Sequence, residues 1–191
     1  KYNKQKRTFE ALTELIQETA DDIQYLESIS NALDIALNEA DLAQIKEELM
    51  QSGYIRRKHT KKKVKLTSKP MHYISSDGYD MYVGKNNLQN EELTFSFANG
   101  NDWWFHAKGA PGSHVIVKSG GDELPDRTFE EAGRLAAYYS KNRGSDKVEI
   151  DYIQKKHVKK PNGAKPGFVV YYTNYSLVID SDISNIKNVQ D

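Results

Sequence analysis

The sequence predicts an α+β chain, with an N-terminal coiled-coil helix arm followed by a mainly antiparallel sheet domain with two helices. Three observations carry this. Residues 4–37 contain no Gly or Pro and repeat apolar or small side chains at alternating spacings of three and four. From Met71 the pattern changes to short runs rich in aromatic and β-branched residues, broken by turn formers. Within that second part only Asn87–Ala98 and the stretch from Thr128 to about Asn142 keep helical spacing.

The arm's repeat runs Phe9, Leu12, Ile16, Thr19, Ile23, Leu26, Ser30, Leu33 and Leu37. Such a seam cannot be buried by one helix, so it calls for a partner strand. A packed amphipathic helix would normally show a broader stripe. Asn38 or Asp41 can cap a second short helix near 41–51, and Gly53 can stop it. The chain thus divides into an arm with a short tip helix over 1–52, a linker over 53–69, a domain over 70–182 and a tail over 183–191. It opens without Met or an apolar leader and reads as a piece of a longer protein.

In the domain, His72–Ile74 and Asp80–Val83 flank Asp77-Gly78, a strong hairpin signal. Trp103–Ala107 and His114–Lys118 read as strands joined by a Gly-rich turn. Thr128 and Glu131 form a capping box for a helix with Phe129, Ala132, Leu135, Ala136 and Tyr139 on its apolar face. Val148–Ile153 is a further strand, and Phe168–Tyr172 with Ser176–Asp180 reads as a final hairpin.

Formal net charge is zero, with 27 Lys/Arg against 27 Asp/Glu, but the charges are segregated. Residues 1–52 carry 5 basic and 11 acidic side chains; residues 53–69 carry 8 basic and no acidic ones; residues 141–165 carry 8 basic and 3 acidic ones. Two concentrated basic segments on a neutral chain suggest local contact with a polyanion. No run of residues is apolar enough for membrane insertion. The absence of Cys excludes disulfides and thiolate metal sites.

No catalytic constellation emerges, so the chain is expected not to be an enzyme. Ser113-His114 lacks a carboxylate to complete a triad, and residues 109–113 lack the Lys of a phosphate-binding loop. His106 and His114 could face each other on paired strands, but no third metal ligand is apparent, and no cofactor is expected.

A binding constellation remains. Alternation puts Val115 and Val117 in the core and leaves His114 and Lys118 outward. By the same logic Trp104 and His106 form the outward pair of their strand. His106, Lys108, His114 and Lys118 are then expected to converge on a phosphate site built on Gly109 and Gly112, with Ser113 beside them. The second basic stretch supplies Lys155, Lys156, His157, Lys159, Lys160 and Lys165, with Tyr152 close by, for RNA-backbone contact. A solvated loop and simple turn glycines are the competing readings. The linker, Arg56 to Lys65, reads as a tether that can also touch phosphates.

Several motifs resemble one known family. Asp102–Lys108, Pro111–Val115, Ala136–Lys141, Lys159–Gly167 and Met81–Asn87 are similar to the NFACT-R domain signature, over about 70–182. The preceding arm is also similar to the coiled coil of that family, which includes RqcH, NEMF and proteins called fibronectin-binding protein A. The resemblance implies a cytoplasmic factor of ribosome-associated quality control. Its partners would be rRNA and tRNA on stalled large ribosomal subunits, in support of template-free alanine tailing. The tRNA-engaging N-terminal domain of the family is outside this chain, so the chain alone is not expected to support tailing. The family's other name implies an alternative, a cell-surface adhesin fragment for fibronectin or fibrinogen.

The unpaired seam yields a first prediction. The chain should self-associate through residues 9–37 or leave the helix partly frayed; in the first case sedimentation velocity at several concentrations should show a mass that rises with concentration. A strict monomer with a fully helical arm would count against the seam as a pairing surface, unless the helix folds back on residues 41–51.

Overall fold

The computed structural model describes residues 2–56 and 67–189. Most of the basic linker, and with it the tether from Arg57 to Lys65, lies outside the described residues. The arm is one helix, α1 (Tyr2–Ile35), as its lack of helix breakers requires. Asn38 caps α2 (Glu39–Gln51), its side-chain oxygen accepting from the Asp41 amide at 3.1 Å. Gly53, at φ +81°, follows the helix end.

α2 folds back on α1, but not along the heptad seam. The buried stripe is Tyr25, Ile29 and Ala32, which meet Ile45. Each sits one position before a seam residue, so seam and α2 contact are neighbouring faces of one helix. Within this chain the seam stays uncovered, with Phe9 72%, Ile16 69% and Leu37 74% exposed.

The domain is built on a seven-stranded antiparallel sheet, in the order β6-β5-β3-β4-β2-β1-β7. The strands are β1 (Met71–Ile74), β2 (Asp80–Val83), β3 (Trp103–Ala107), β4 (Val115–Val117), β5 (Val148–Gln154), β6 (Tyr175–Ile179) and β7 (Lys187–Asn188). The first hairpin forms as expected, with Gly78 at φ +89° in its turn. β7 pairs with β1 and Ile186 is buried, so the sheet continues beyond residue 182. The expected final hairpin is not seen among the described residues: β6 pairs with β5, and the preceding segment meets the 155–160 region through a bridge between Lys159 and Val170 and the packing of Val169 and Tyr171 in the cluster that holds Val158.

Helix α3 (Asn87–Glu92), extended by a π-helical turn over Leu93–Phe97, follows β2. Helix α4 (Asp126–Tyr138) precedes β5. The two cover opposite faces of the sheet. Against α4, Ala132, Leu135 and Ala136 meet Phe105, Val115, Val117 and Ile150. On the other face Leu93, Ala98 and Val158 meet Trp104, Ile116 and Ile153. The capping box does not form: α4 starts after Pro125 without a side-chain cap. Thr128 instead hydrogen-bonds Ser75 and Asp77, and Glu131 takes the amide and hydroxyl of Ser76, so both side chains tie α4 to the β1–β2 turn.

Arm and domain meet through a buried polar junction. Lys85 Nζ lies 2.5 Å from Asp41 Oδ1, both side chains almost fully enclosed. Asn86 and Gln89 donate to Gln44 Oε1 at 2.9 and 2.7 Å, and Asn87 donates to Glu48 Oε1 at 2.9 Å and Ser28 Oγ at 2.7 Å. Burial works against the Asp41 carboxylate, but hydrogen bonds from Lys85, Ser68 and the Leu37 amide hold its pKa below the ordinary value. Burial pushes that of Glu48 up.

Lys85→Ala would leave the Asp41 carboxylate buried without its cation, and should cost about 3–5 kcal/mol in denaturant unfolding. Adding Asp41→Asn to Lys85→Met should recover part of the loss. A single variant with stability close to the parent would show that the pair is hydrated in solution.

Candidate nucleic-acid interface

The ring of cations expected around the Gly-rich turn does not form, because both sheet faces are covered. The turn between β3 and β4 docks on the end of α4: Ser113 N donates to Tyr139 O, and Lys141 N to Pro111 O, each at 2.9 Å. A Cβ on Gly112 would come within 3.0 Å of Ser140, so the close approach explains that glycine. Ser113 is buried.

His114 is only 2% exposed. Its backbone N–H donates to Asn90 Oδ1 at 3.0 Å, and Nδ1 lies 2.8 Å from Thr94 Oγ1. Trp104 is fully buried between the rings of His106 (5.6 Å), His114 (5.1 Å) and Tyr171 (4.9 Å). His106, partly exposed, also meets His114 edge-on at 5.5 Å. Burial pushes the His106 imidazole down to about 4 and that of His114 well below the usual range, so both are neutral near pH 7 and cannot attract a phosphate as cations. Trp104, His106 and His114 are therefore packing residues of the second sheet face.

The lysines sort by partner. Lys118 lies 2.5 Å from the buried Asp102, whose carboxylate also receives the Asn99 and Ser119 amides. Asp102, for which spacing alone suggests no role, thus organises both loops at that end. Lys108 pairs with Glu149 at 2.5 Å, in the open. Lys160 Nζ is 2.7 Å from both oxygens of Glu91. Lys165 reaches Asp22 and Tyr54 of the arm and sits 4.7 Å above the Tyr25 ring. Lys160 and Lys165 therefore clasp the loop to α3 and to the arm.

Three lysines and one histidine remain. Lys155, Lys156 and His157 form a one-turn 3-10 helix after β5, and Lys159 follows. Among the described residues none of the four has an ion-pair partner; Lys155 lies 5.9 Å from the Phe95 ring. The turn is held by backbone bonds from Lys155 N to Asp102 O and from Lys156 N to Gly100 O. Tyr152 faces α4, stacked on Phe105 at 5.5 Å. Among the described residues no group of three or more His, Cys, Asp or Glu could hold a metal ion, and no helix is long and apolar enough to cross a membrane.

An α+β domain bearing an unpaired cationic turn, carried on a long helical arm, has the makings of a polyanion-binding module. The chain belongs to the NFACT family: the model described as NFACT protein RNA binding domain matches residues 69–173, and that of the NFACT N-terminal and middle domains matches residues 1–68. Among curated relatives, the Rqc2 homolog RqcH of Streptococcus pneumoniae is 44% identical over 191 residues, covering 100% of this chain and 34% of that protein. The Rqc2 homolog RqcH of Bacillus subtilis is 39% identical, covering 97% of this chain and 33% of that protein. The chain thus spans about a third of their length. The solved C-terminal part of the fibronectin/fibrinogen-binding protein from Streptococcus suis superposes with a TM-score of 0.89 at 42% identity, covering 97% of this chain and 75% of that one.

The two imidazoles yield a prediction of sign. His106 takes a proton near pH 4 when folded but near 6.5 when unfolded, so the unfolded chain gains the proton first. Stability should be full above about pH 6.5 and fall as the pH drops toward about 4. His114→Ala should lower stability by about 1–3 kcal/mol while preserving RNA binding per folded molecule. A melting temperature unchanged between about pH 7 and pH 5 would show that these rings are hydrated.

Proposed function

We propose that this chain is the arm and RNA-binding domain of a ribosome-associated quality control factor. In this reading it works in the cytoplasm as a binding module without catalytic chemistry of its own. It engages rRNA and tRNA on stalled large ribosomal subunits in support of template-free alanine tailing by the whole protein. Family membership and the names of the RqcH relatives support the setting. One observation supports the contact: the unpaired run Lys155, Lys156, His157 and Lys159, held at the end of β5. Phosphate binding draws on cations not already neutralised, because each contact gains by releasing counterions from the nucleic acid.

Lys155→Ala, Lys156→Ala and Lys159→Ala together should weaken binding to structured RNA. The slope of log affinity against log salt should flatten by about 0.7–0.9 for each phosphate that is no longer neutralised. Lys160→Ala and Lys165→Ala should change that slope less, since their charges are already paired. Anisotropy titrations over a salt series measure both, and an unchanged slope in the triple variant would remove this turn from the interface. Saturable, salt-insensitive binding of fibronectin by the same chain, with no RNA binding, would favour the adhesin reading that the Streptococcus suis protein's name suggests.

A further inference from the structure

At the end of the sheet where β3 begins, β5 ends and β6 begins, aromatic rings run from the core to the surface. Trp103 meets Phe129 edge-on at 4.9 Å and lies 5.9 Å from Tyr152. Tyr152 in turn stacks on Tyr175 at 5.6 Å, with 27° between the ring planes. The series ends in solvent: Tyr175 is 59% exposed, and Tyr172, three residues earlier, is 75% exposed. Among the described residues Tyr172 has no ring partner.

The cationic turn lies at this same end. Gln154 pairs with Trp103 in register, and Lys155, Lys156 and His157 follow it directly. From Tyr152 to Lys156 is four residues, about 13 Å at most in extended chain. One exposed ring backed by a packed ladder, a second exposed ring three residues earlier in the chain, and lysines without ion-pair partners at the same end suit single-stranded nucleic acid. Unpaired bases stack on the rings and phosphates follow the charges. A duplex keeps its base faces hidden and can use only the charges.

We infer that this end of the sheet binds unpaired nucleotides of RNA, with Tyr175 and Tyr172 as the stacking surfaces and the Lys155–Lys159 turn receiving the backbone. The inference rests on the RNA-binding reading above and adds to it a preference for single strands. β6 is also an outer strand of the sheet, which an extended peptide could join. The neighbouring unpaired cations favour the polyanion.

The test uses the full chain and two labelled probes, a short oligoadenylate and a blunt-ended RNA duplex. Tyr172→Ala with Tyr175→Ala should weaken oligoadenylate binding by roughly 10- to 100-fold and duplex binding by no more than about twofold. Tyr172→Phe with Tyr175→Phe should bind both like the parent, since the rings remain. Tyr172→Ala alone, at a side chain that packs on no other ring, should give a smaller loss of the same selectivity with an unchanged melting temperature. Equal weakening of both probes, or no change for the oligoadenylate, would overturn the stacking surface. The lysine triple variant should weaken both probes. If it does and the tyrosine variants do not, the cationic turn stands and the platform falls. If the parent binds neither probe, both fall.

Discussion

β3 and β4 are covered on both faces, and the remaining architecture follows from that constraint. An antiparallel sheet commonly keeps one face in water. Here α4 takes one face, while α3, its π-helical extension and the 158–171 segment take the other. Polar groups on and beside the central strands are therefore largely enclosed, and Trp104 Nε1 has no hydrogen-bond partner among the described residues. The His114 ring meets Thr94 while its backbone N–H donates to Asn90, and Lys118 pairs with Asp102. Lys155, Lys156 and Lys159, without ion-pair partners among the described residues, therefore lie at the end of the sheet and not at its centre.

The junction between arm and domain obeys the same rule with different material. Its contacts are largely amides and one enclosed ion pair, with Ile35 of α1 reaching the domain core. A buried ion pair adds little net stability compared with apolar packing, but it strongly penalises any arrangement that separates its members. Amide pairs have defined donors and acceptors, so they accept one register only. The junction therefore sets the direction of the arm more than it adds to stability. The Lys165 contact with Asp22, Tyr54 and Tyr25 is a second, exposed tie acting in the same sense.

Much of this was readable in the sequence because local rules decided it. Lack of breakers made α1, Asn38 capped α2, Asp77-Gly78 turned the first hairpin, and the spacing of Ala132, Leu135 and Ala136 oriented α4. What local rules could not give was the second cover on the sheet. Alternation separates His114 from Val115 and Val117 correctly, but it cannot say that the opposite face is also buried. Thr128 and Glu131 have the spacing of a cap, yet Ser75, Ser76 and Asp77 compete for them from another part of the chain. Charge density found the basic loop, but which lysines remain unpaired depended on Glu91 and Asp22, distant in sequence. Tyr175 gave no signal of its own, because its stacking on Tyr152 exists only once β6 pairs with β5.

The packing of α2 one position away from the seam has a mechanical consequence. Among the described residues the first two dozen of α1 extend about 35 Å, with ties to the rest of the chain at their inner end, around Asp22. A tilt of about 5° at this inner clamp would displace Tyr2 by about 3 Å over that length. Because the clamp and the seam use different faces, a helix lying along the seam would stiffen the beam without loosening its root. Rigidity of the outer arm and its angle to the sheet can thus be adjusted separately, the first by whatever lies along the seam and the second by the amides around Asn86.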